Sequence, residues 1–422
     1  MAHLSEVFIS GGLPTVTYNP RKGFDLETKL KKSLDQGYKI LAIIGPHNSG
    51  KTVLIHSHLN SEKICLIEGG QIKNINSFYG KIIGEYEGYT NIETTDICST
   101  GHENKFGGKG GINIWALQIG GGTSTANSSG TGTKTSRTIK YTASVKSNIL
   151  LNDNIKTPLI IDDFYKINQE TQIEIIRYLK HLVFRGLRVI IISVPYHEYD
   201  IVKVEEEMDG RLTQIIIPMW EKEELEYIMQ LGFNELNVEI PQELIDSFAK
   251  ESFGSPYFTQ DFCYKFCDRN GVTEILESKK RLEKLPCEDE FFKEFVLNLN
   301  FPKAALDYLS QGSGHRKNRK ERTFADGTKG DIYQAILSAM TKIAKTEPKT
   351  FFTDTEIKSA LNDILKDKSP EVHEIIRVFD MMTESSKEYS KEKPAVDYNR
   401  ERGILYMPDP CFAYYLRWSK EK

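Results

Sequence analysis

One segment near the start of the chain matches a phosphate-binding pattern, G-x-x-x-x-G-K-[ST]. In this pattern the glycines let the backbone bend so that its N–H groups point at phosphate oxygens. Lys51 can then reach the β- and γ-phosphates, and the Thr52 hydroxyl can coordinate Mg²⁺. We therefore expect the segment to bind ATP with Mg²⁺ and to be followed by a helix whose positive end faces the phosphates. The segment consists of Gly45, Pro46, His47, Asn48, Ser49, Gly50, Lys51 and Thr52.

Two aspartates supply the acidic groups that such a site requires. A second magnesium ligand is normally an acid at the end of a neighbouring strand, and the apolar residues 158–161 lead directly into Asp162 and Asp163. Asp162 is expected to hold the Mg²⁺ through water, and Asp163 to orient and deprotonate the attacking water. The alternative, that both aspartates only cap the next helix, is weaker because the strand leads straight into them.

Two further residues are candidates for contact with the γ-phosphate. Ser193 follows the apolar residues 189–192, where a small polar side chain could sense the γ-phosphate; an ordinary strand terminus is the alternative. Arg211 precedes a short strand that ends at Pro218, on the side where neighbouring subunits usually meet. Its guanidinium would stabilise γ-phosphate charge in the adjacent subunit. A surface or intradomain salt bridge is the alternative for Arg211.

The elements that must position these residues follow a regular α/β pattern. Residues 39–44 form a continuous apolar run, typical of a buried parallel strand, directly before the phosphate-binding segment. The fold class that follows is α/β, a P-loop NTPase with a parallel sheet. Further strands are predicted at residues 64–67, 158–161, 189–192 and 214–218, and helices at 26–34, ended by Gly37, and at 169–184.

Residues 102–136 differ from the rest of the chain because they are dense in Gly, Ser, Thr and Asn. Apolar and polar residues alternate over residues 112–119 and again over 139–145, which predicts a hairpin with a mobile end. A disordered insertion in the nucleotide domain is nevertheless favoured over an ordered loop. If ordered, the hairpin would contact a partner, a neighbouring subunit or nucleic acid.

The chain divides into four regions. Residues 1–218 are predicted to form the P-loop ATPase core, and the helical pattern of residues 219–310 predicts a lid. Within the lid a Gly-Ser-Pro sequence ends at Pro256, which suits the first turn of a new helix. Residues 311–330 are predicted to be a basic linker, and residues 331–422 a winged-helix domain.

The predicted winged helix consists of three helices followed by an extended stretch. A winged helix can read DNA through its third helix, but here this helix combines Lys387 with the acids Asp380 and Glu384, which is unfavourable near phosphates. The basic run 315–322 is the better electrostatic contact, although such runs are usually solvated. A protein-binding or autoinhibitory role is therefore favoured over DNA reading. The helices are predicted at residues 332–343, 353–365 and 369–389.

Composition is that of a globular protein, with 422 residues, 39% hydrophobic residues and a formal net charge of −4. This charge argues against binding of nucleic acid over the whole surface. The sequence has no apolar run long enough to span a bilayer and no secretory leader in its first ten residues, so a cytoplasmic location without membrane contact is expected. Cys263 and Cys267 are four positions apart, but buried free thiols are favoured over a metal site.

In the order of these features the chain resembles AAA+ ATPases. It is most similar to the origin-recognition initiator group, to the related STAND signalling ATPases and to a family of bacterial ATP-binding proteins. The resemblance covers nearly the whole chain. It is carried by residues 12–18, 161–164, 254–256, 260–263 and the aromatic segment 408–418.

This resemblance implies a homo-oligomer that assembles with nucleotide, in which Pro256 packs near the adenine. The chain departs from the AAA+ pattern at Asp162 and Asp163, where that pattern has Asp-Glu. A shorter carboxylate reaches the water less well, which implies slow, switch-like hydrolysis. The lid also has no arginine directly beside residues 254–256 for a second sensor contact.

Two functions are compatible with the sequence. The first is a switch ATPase that assembles with nucleotide and acts on a protein effector or sensor partner, with prokaryotic anti-phage defence as a natural setting. The second is a DNA-binding ATPase of the initiator or transposition-helper kind. ATP-strengthened, salt-dependent DNA binding would support the second function.

Overall fold

The computed structural model describes residues 3–59, 63–87, 142–194, 210–283, 287–297, 299–312, 319–390 and 394–419. The predicted insertion at residues 102–136 lies outside these ranges. Among the described helices, none combines the length and the apolar character needed to cross a bilayer.

A five-stranded parallel sheet forms the centre of the N-terminal region, with the strand order β2-β3-β4-β1-β5. Four of the predicted strands are confirmed to within one residue at each end. The fifth begins two residues earlier than predicted, because Leu212 pairs with Ile40 at the start of β1. The strands are β1 (Ile40–Ile44), β2 (Cys65–Glu68), β3 (Leu159–Asp162), β4 (Val189–Ser193) and β5 (Leu212–Ile216).

Helices cover both faces of this sheet, and this explains why β1 is buried at every position. Side chains alternate between the faces: Ile40 packs on one side with Phe78, and Ile43 on the other with Leu54. The helices are α1 (Leu4–Val7), α2 (Leu26–Gln36), α3 (Lys51–Leu59), α4 (Ile75–Glu87), α5 (Ala143–Asp153) and α6 (Gln169–Phe184), with 3-10 turns at Lys22–Phe24, Gly69–Gln71 and Phe164–Lys166.

Helix α5 corrects the prediction of a strand over residues 139–145. The helix begins at Ala143, and the Thr142 side chain accepts a hydrogen bond from the Val145 N–H at its N-terminus. This N-terminal cap favours a helix over an extended strand. Residues 139–141 lie outside the described residues.

A second hydrophobic core joins the lid to the C-terminal region. Phe258 and Phe262 of the lid stack with Tyr414 near the C-terminus, and Leu4 and Phe8 of the N-terminal segment belong to the same core. The predicted new helix at Pro256 is confirmed. The lid consists of α7 (Lys222–Glu235), α8 (Gln242–Glu251), α9 (Pro256–Arg269), α10 (Glu288–Val296) and α11 (Asn300–Gln311), with the short strands β6 (Val238–Glu239) and β7 (Lys280–Arg281).

The described part of the predicted linker is folded, which differs from the solvated segment expected there. Its two short strands, β8 (Arg322–Thr323) and β9 (Lys329–Gly330), pair antiparallel. The Arg322 side chain is buried, and Arg319 forms an ion pair with Asp331 at the start of the next helix. Packing against the C-terminal region therefore orders residues 319–330.

The C-terminal region contains the three predicted helices and a final helix. Three strands form an antiparallel sheet in the order β10-β12-β11. The elements are α12 (Ile332–Thr346), β10 (Phe351–Thr353), α13 (Asp354–Ile364), α14 (Val372–Tyr389), β11 (Asp397–Asn399), β12 (Ile404–Tyr406) and α15 (Pro410–Trp418).

Candidate nucleotide site

The phosphate-binding segment forms the loop between β1 and α3. Asn48 and Gly50 have left-handed backbone conformations, with φ of 57° and 89°. A Cβ on Gly45 would lie 2.9 Å from both Ile217 Cβ and Ser49 Oγ, so only glycine fits there. Because the loop needs glycine at these fixed positions, the phosphate-binding pattern can be recognised from the sequence. The loop ends at Lys51, the first residue of α3.

Lys51 is buried within this loop. Its Nζ donates hydrogen bonds to the carbonyl oxygens of Gly45 and Pro46, at 3.0 and 2.6 Å. Burial lowers the pKa of Lys51 to about 8, and the nearby charges of Asp162 and Asp163 oppose this shift. A buried cation whose hydrogen-bond acceptors are neutral carbonyls is suited to bind an anion.

Thr52 and Asp162 meet beside Lys51. The Thr52 hydroxyl donates to Asp162 Oδ2 at 3.0 Å, and the Asp163 N–H donates to Asp162 Oδ1 at 2.8 Å. Burial, followed by the charge of Asp163, raises the pKa of the Asp162 carboxyl, while the Thr52 hydrogen bond opposes this shift. A desolvated carboxylate next to a hydroxyl is an oxygen donor set that suits Mg²⁺.

The described residues contain no group of three or more His, Cys, Asp or Glu side chains that could hold a metal ion. The Thr52 and Asp162 oxygens fit a Mg²⁺ that keeps water and phosphate ligands, as Mg²⁺ usually does in nucleotide sites. The residues present therefore fit the predicted ion without an all-protein cage.

Asp163 follows β3 in a left-handed conformation, with φ of 51°. Its carboxylate forms an ion pair with Lys166, with 2.7 Å between Oδ2 and Nζ. The side chain is 37% exposed, so it can contact water in the cavity. This position is compatible with the predicted role as the base.

A cavity of about 580 Å³ extends from the phosphate-binding loop, within the usual range for small-molecule sites. The loop, Asp162 and Asp163 line one end. Residues 9–21 and lid residues, among them Pro256, line the remainder. Pro256 thus lies at the cavity, and its packing near the adenine stays a prediction.

Three further cavity residues have defined hydrogen bonds or ion pairs, although none of them was predicted as a site residue. Trp220 donates from Nε1 to the Ser49 carbonyl at 2.9 Å. Arg21 is buried and pairs with Glu224 of α7 at 2.6 Å. Gln260 of α9 accepts from the Ile9 N–H and donates to Thr17 Oγ1. Trp220 is an aromatic residue shortly after the last strand of the sheet, and Gln260 lies in segment 260–263, which carries the resemblance, whereas Arg21 belongs to no motif.

Ser193 lies next to the loop but outside the cavity lining. Its carbonyl accepts from the Gly45 N–H at 3.2 Å. Its side chain is buried, and Oγ has no hydrogen-bond partner among the described residues. Its role as a γ-phosphate sensor stays a prediction.

Arg211 lies at the N-terminal end of the parallel strands, whereas the phosphate-binding loop lies at their C-terminal end. Its carbonyl accepts from the N–H of Ile40, the first residue of β1, and its guanidinium stacks over Phe184 at 4.9 Å. The five residues of β1 separate these two ends of the sheet by about 16 Å, at ~3.3 Å per residue. Arg211 therefore cannot serve the site of its own chain in this arrangement.

No protein-family model matches the sequence, and no curated protein matches it. Among solved structures, a Walker-type ATPase of Pyrococcus abyssi is similar with a TM-score of 0.52 and 14% identity, over 96% of this chain and 100% of that chain. The ORC2 protein of Aeropyrum pernix has a TM-score of 0.47 and 14% identity, over 97% and 95% of the two chains. Cdc6p from Pyrobaculum aerophilum has a TM-score of 0.43 and 11% identity, over 98% and 97%.

The Pyrococcus abyssi protein is a Walker-type ATPase, the kind of fold that the phosphate-binding segment predicts. At such low identities the similarity concerns the fold alone, and the Pyrococcus abyssi protein carries that conclusion. The five-stranded parallel sheet, the phosphate-binding loop after β1 and the aspartates after β3 agree with it. The chain has the α/β fold of a Walker-type P-loop ATPase.

Proposed function

We propose that the chain binds ATP with Mg²⁺ in this cavity and hydrolyses it to ADP and phosphate. The observation that carries the proposal is the buried Lys51 ammonium beside the Thr52–Asp162 pair. The loop N–H groups and the first turn of α3 would bind phosphate oxygens. Lys51 would exchange its carbonyl acceptors for the β- and γ-phosphates.

Hydrolysis requires a base that is close to water. Asp163 orients a water molecule and accepts its proton while the water oxygen bonds to the γ-phosphorus and the β–γ bridging bond breaks. Mg²⁺ held by Thr52 and Asp162 would neutralise charge on the phosphate oxygens. Because the Asp163 carboxylate is short and paired with Lys166, we expect slow turnover that suits a switch.

The position of Arg211 supports a proposal of assembly. The Arg211 guanidinium lies at the end of the sheet away from its own phosphate-binding loop. It would therefore act on the nucleotide bound by a neighbouring copy of the chain, as an arginine finger supplied by another subunit does. This role of Arg211 would require homo-oligomers, which we propose form with ATP. Ser193 would respond to the γ-phosphate from the end of β4.

The C-terminal region is proposed to be a winged helix that contacts a protein. The order helix, strand, helix, helix and two antiparallel strands supports this fold. Arg400 pairs with Asp380, and Lys387 with Asp397, so DNA phosphates would have to displace carboxylates there. Nucleotide-controlled action on a protein partner is the proposed function, and a role in anti-phage defence remains a proposal about its setting.

Calorimetric titration of ATP tests the site. Lys51→Ala should abolish binding, whereas Lys29→Ala, which removes an exposed lysine of α2, should leave it unchanged. Asp163→Ala should still bind ATP but lose about 10²- to 10⁴-fold in hydrolysis rate. Hydrolysis at the parental rate would show that Asp163 is not the base.

A labelled DNA duplex tests the proposed choice of partner. If anisotropy shows binding that strengthens with ATP and weakens with salt, DNA is the partner. ATP-dependent oligomers on a sizing column without such binding would support the proposed function.

A further inference from the structure

Lys166 is a second cation at the phosphate end of the cavity. Its side chain lines the cavity together with Lys51, Thr52 and Asp163. Its Nζ contacts Asp163 Oδ2 at 2.7 Å, so it engages one oxygen of the carboxylate that we assign as the base. No motif in the sequence singled out this lysine.

Two glycines after β2 create the space for this pair. A Cβ on Gly69 would lie 2.3 Å from the Asp163 carbonyl oxygen, closer than any side chain allows. A Cβ on Gly70 would lie 3.3 Å from Lys166 Cδ. Gly69 therefore permits the left-handed turn at Asp163, and Gly70 lets the lysine stem lie close to the backbone. The two residues of the pair are three positions apart in the chain, and the backbone of Gly69 and Gly70 lies against them.

The pair is weak enough to be exchanged. Asp163 is 37% and Lys166 17% exposed at the side chain, and ion pairs of this kind contribute little net stability because water competes for both groups. A phosphate group that carries two negative charges would compete more strongly than one carboxylate. The γ-phosphate distinguishes ATP from ADP, and it would lie at this end of the cavity, beyond Lys51.

We propose that Lys166 is a specificity-determining residue that moves from Asp163 to the γ-phosphate when ATP, rather than ADP, occupies the cavity. The inference rests on the proposed function and adds a regulation of the same site. With ADP, Lys166 holds the Asp163 carboxylate. With ATP, Lys166 contributes to binding and leaves that carboxylate free to accept the proton of water.

The test is a double-variant cycle measured by calorimetry with Mg²⁺. The probes are adenylyl imidodiphosphate, an ATP analogue that is not hydrolysed, and ADP. The measured quantity is the preference, the Kd for ADP divided by the Kd for the analogue. It is determined for the parental chain, Asp163→Asn, Lys166→Met and the double variant.

In the parental chain Lys166 must break its pair to reach the phosphate, and in Asp163→Asn it need not. Asp163→Asn should therefore raise the preference for the analogue over ADP in both backgrounds. The increase should be about two- to five-fold larger when Lys166 is present than when it is replaced by Met. Lys166→Met alone should lower the preference, and Lys166→Arg should keep it near the parental value because the charge remains.

If Asp163→Asn changes the preference equally with Lys166 and with Met at position 166, the proposal is overturned. A lysine that does not move would add the same charge whether or not Asp163 is present. A loss of preference in Lys166→Arg that matches Lys166→Met would also overturn it. If the proposed function itself is wrong, the result is different, because neither the ATP analogue nor ADP would bind the parental chain.

Discussion

Trp220 Nε1 donates a hydrogen bond to the carbonyl oxygen of Ser49, at 2.9 Å, and thereby joins the segment between sheet and lid to the phosphate-binding loop. The indole also lies near Gly50, where a Cβ would be 3.8 Å from its Cζ2. The Arg21 guanidinium stacks on the Trp220 ring, 4.6 Å from its centre. Trp220 therefore contacts the phosphate-binding loop and Arg21 at the same time.

Trp220 should therefore report nucleotide binding through its fluorescence. The chain has three tryptophans, and of these Trp220 alone contacts the loop among the described residues. Addition of ATP or ADP should change the emission of the parental chain, and Trp220→Phe should remove this change while binding persists. Trp418→Phe is the matched control and should keep the response. An unchanged response in Trp220→Phe would show that the signal arises elsewhere.

Binding of ATP should weaken above about pH 8. Burial lowers the pKa of Lys51 to about 8, and a bound polyanion would raise it again because it stabilises the ammonium. Above pH 8 binding must then take up a proton, so the affinity should fall by up to about ten-fold per pH unit. Calorimetry in buffers of different ionisation enthalpy measures both the affinity and the proton uptake.

Lys51→Arg provides the control for this pH dependence. A guanidinium stays protonated over the whole range, so the affinity of this variant, whatever its absolute value, should be flat between pH 7 and 9.5. A parental affinity that is also flat over this range would contradict the assignment of Lys51 as the titrating group.

Subunit mixing should reveal whether Arg211 acts across an interface. Arg211→Ala retains a complete phosphate-binding loop, and Lys51→Ala retains the arginine. If each variant is inactive alone, mixed oligomers should recover part of the parental hydrolysis rate, because some sites combine an intact loop with an intact neighbour. Arg185→Ala, at the exposed end of α6, should be active without mixing. No recovery would leave Arg211 as a residue that only packs on Phe184.

The buried ion pair between Arg417 and Glu251 should contribute strongly to stability. Arg417 donates to both Glu251 oxygens at 2.7 and 2.8 Å, and Trp418 donates to the same carboxylate. Arg417→Met would remove the cation that pairs with the buried Glu251 carboxylate and leave it the Trp418 hydrogen bond, which should cost about 3–5 kcal/mol of unfolding free energy. Glu251 ends the helix before the Gly-Ser-Pro segment, so the lid at the cavity should loosen as well.

A surface pair supplies the comparison for this experiment. Arg400 pairs with Asp380, but its side chain is 74% exposed, so Arg400→Met should cost less than about 1 kcal/mol. Denaturant unfolding followed by circular dichroism measures both variants. Similar losses for the two would show that burial does not strengthen the Arg417 pair.

The sequence alone predicted the central sheet and the phosphate end of the site. A phosphate-binding loop is specified by consecutive residues, since the glycines and the lysine act through local backbone geometry. Buried parallel strands are continuous apolar runs, so β1 and β4 could be located to within a residue. Thr52 and Asp162 were predicted to share the Mg²⁺, and they do lie together, because the carboxyl ends of parallel strands lie at the same end of a sheet even where β4 separates β1 from β3.

Only the tertiary structure decided what closes the cavity and where the charges lie. Arg21 and Glu224 are 203 positions apart in the chain, and no local period relates them. Lys166 and Asp163 are only three positions apart, but the space that they occupy depends on Gly69 and Gly70, which approach from the turn after β2. The end of the sheet at which Arg211 lies depends on the parallel pairing of β5 with β1. Such contacts arise from the packing of distant segments, whereas the phosphate-binding loop arises from the residues that form it.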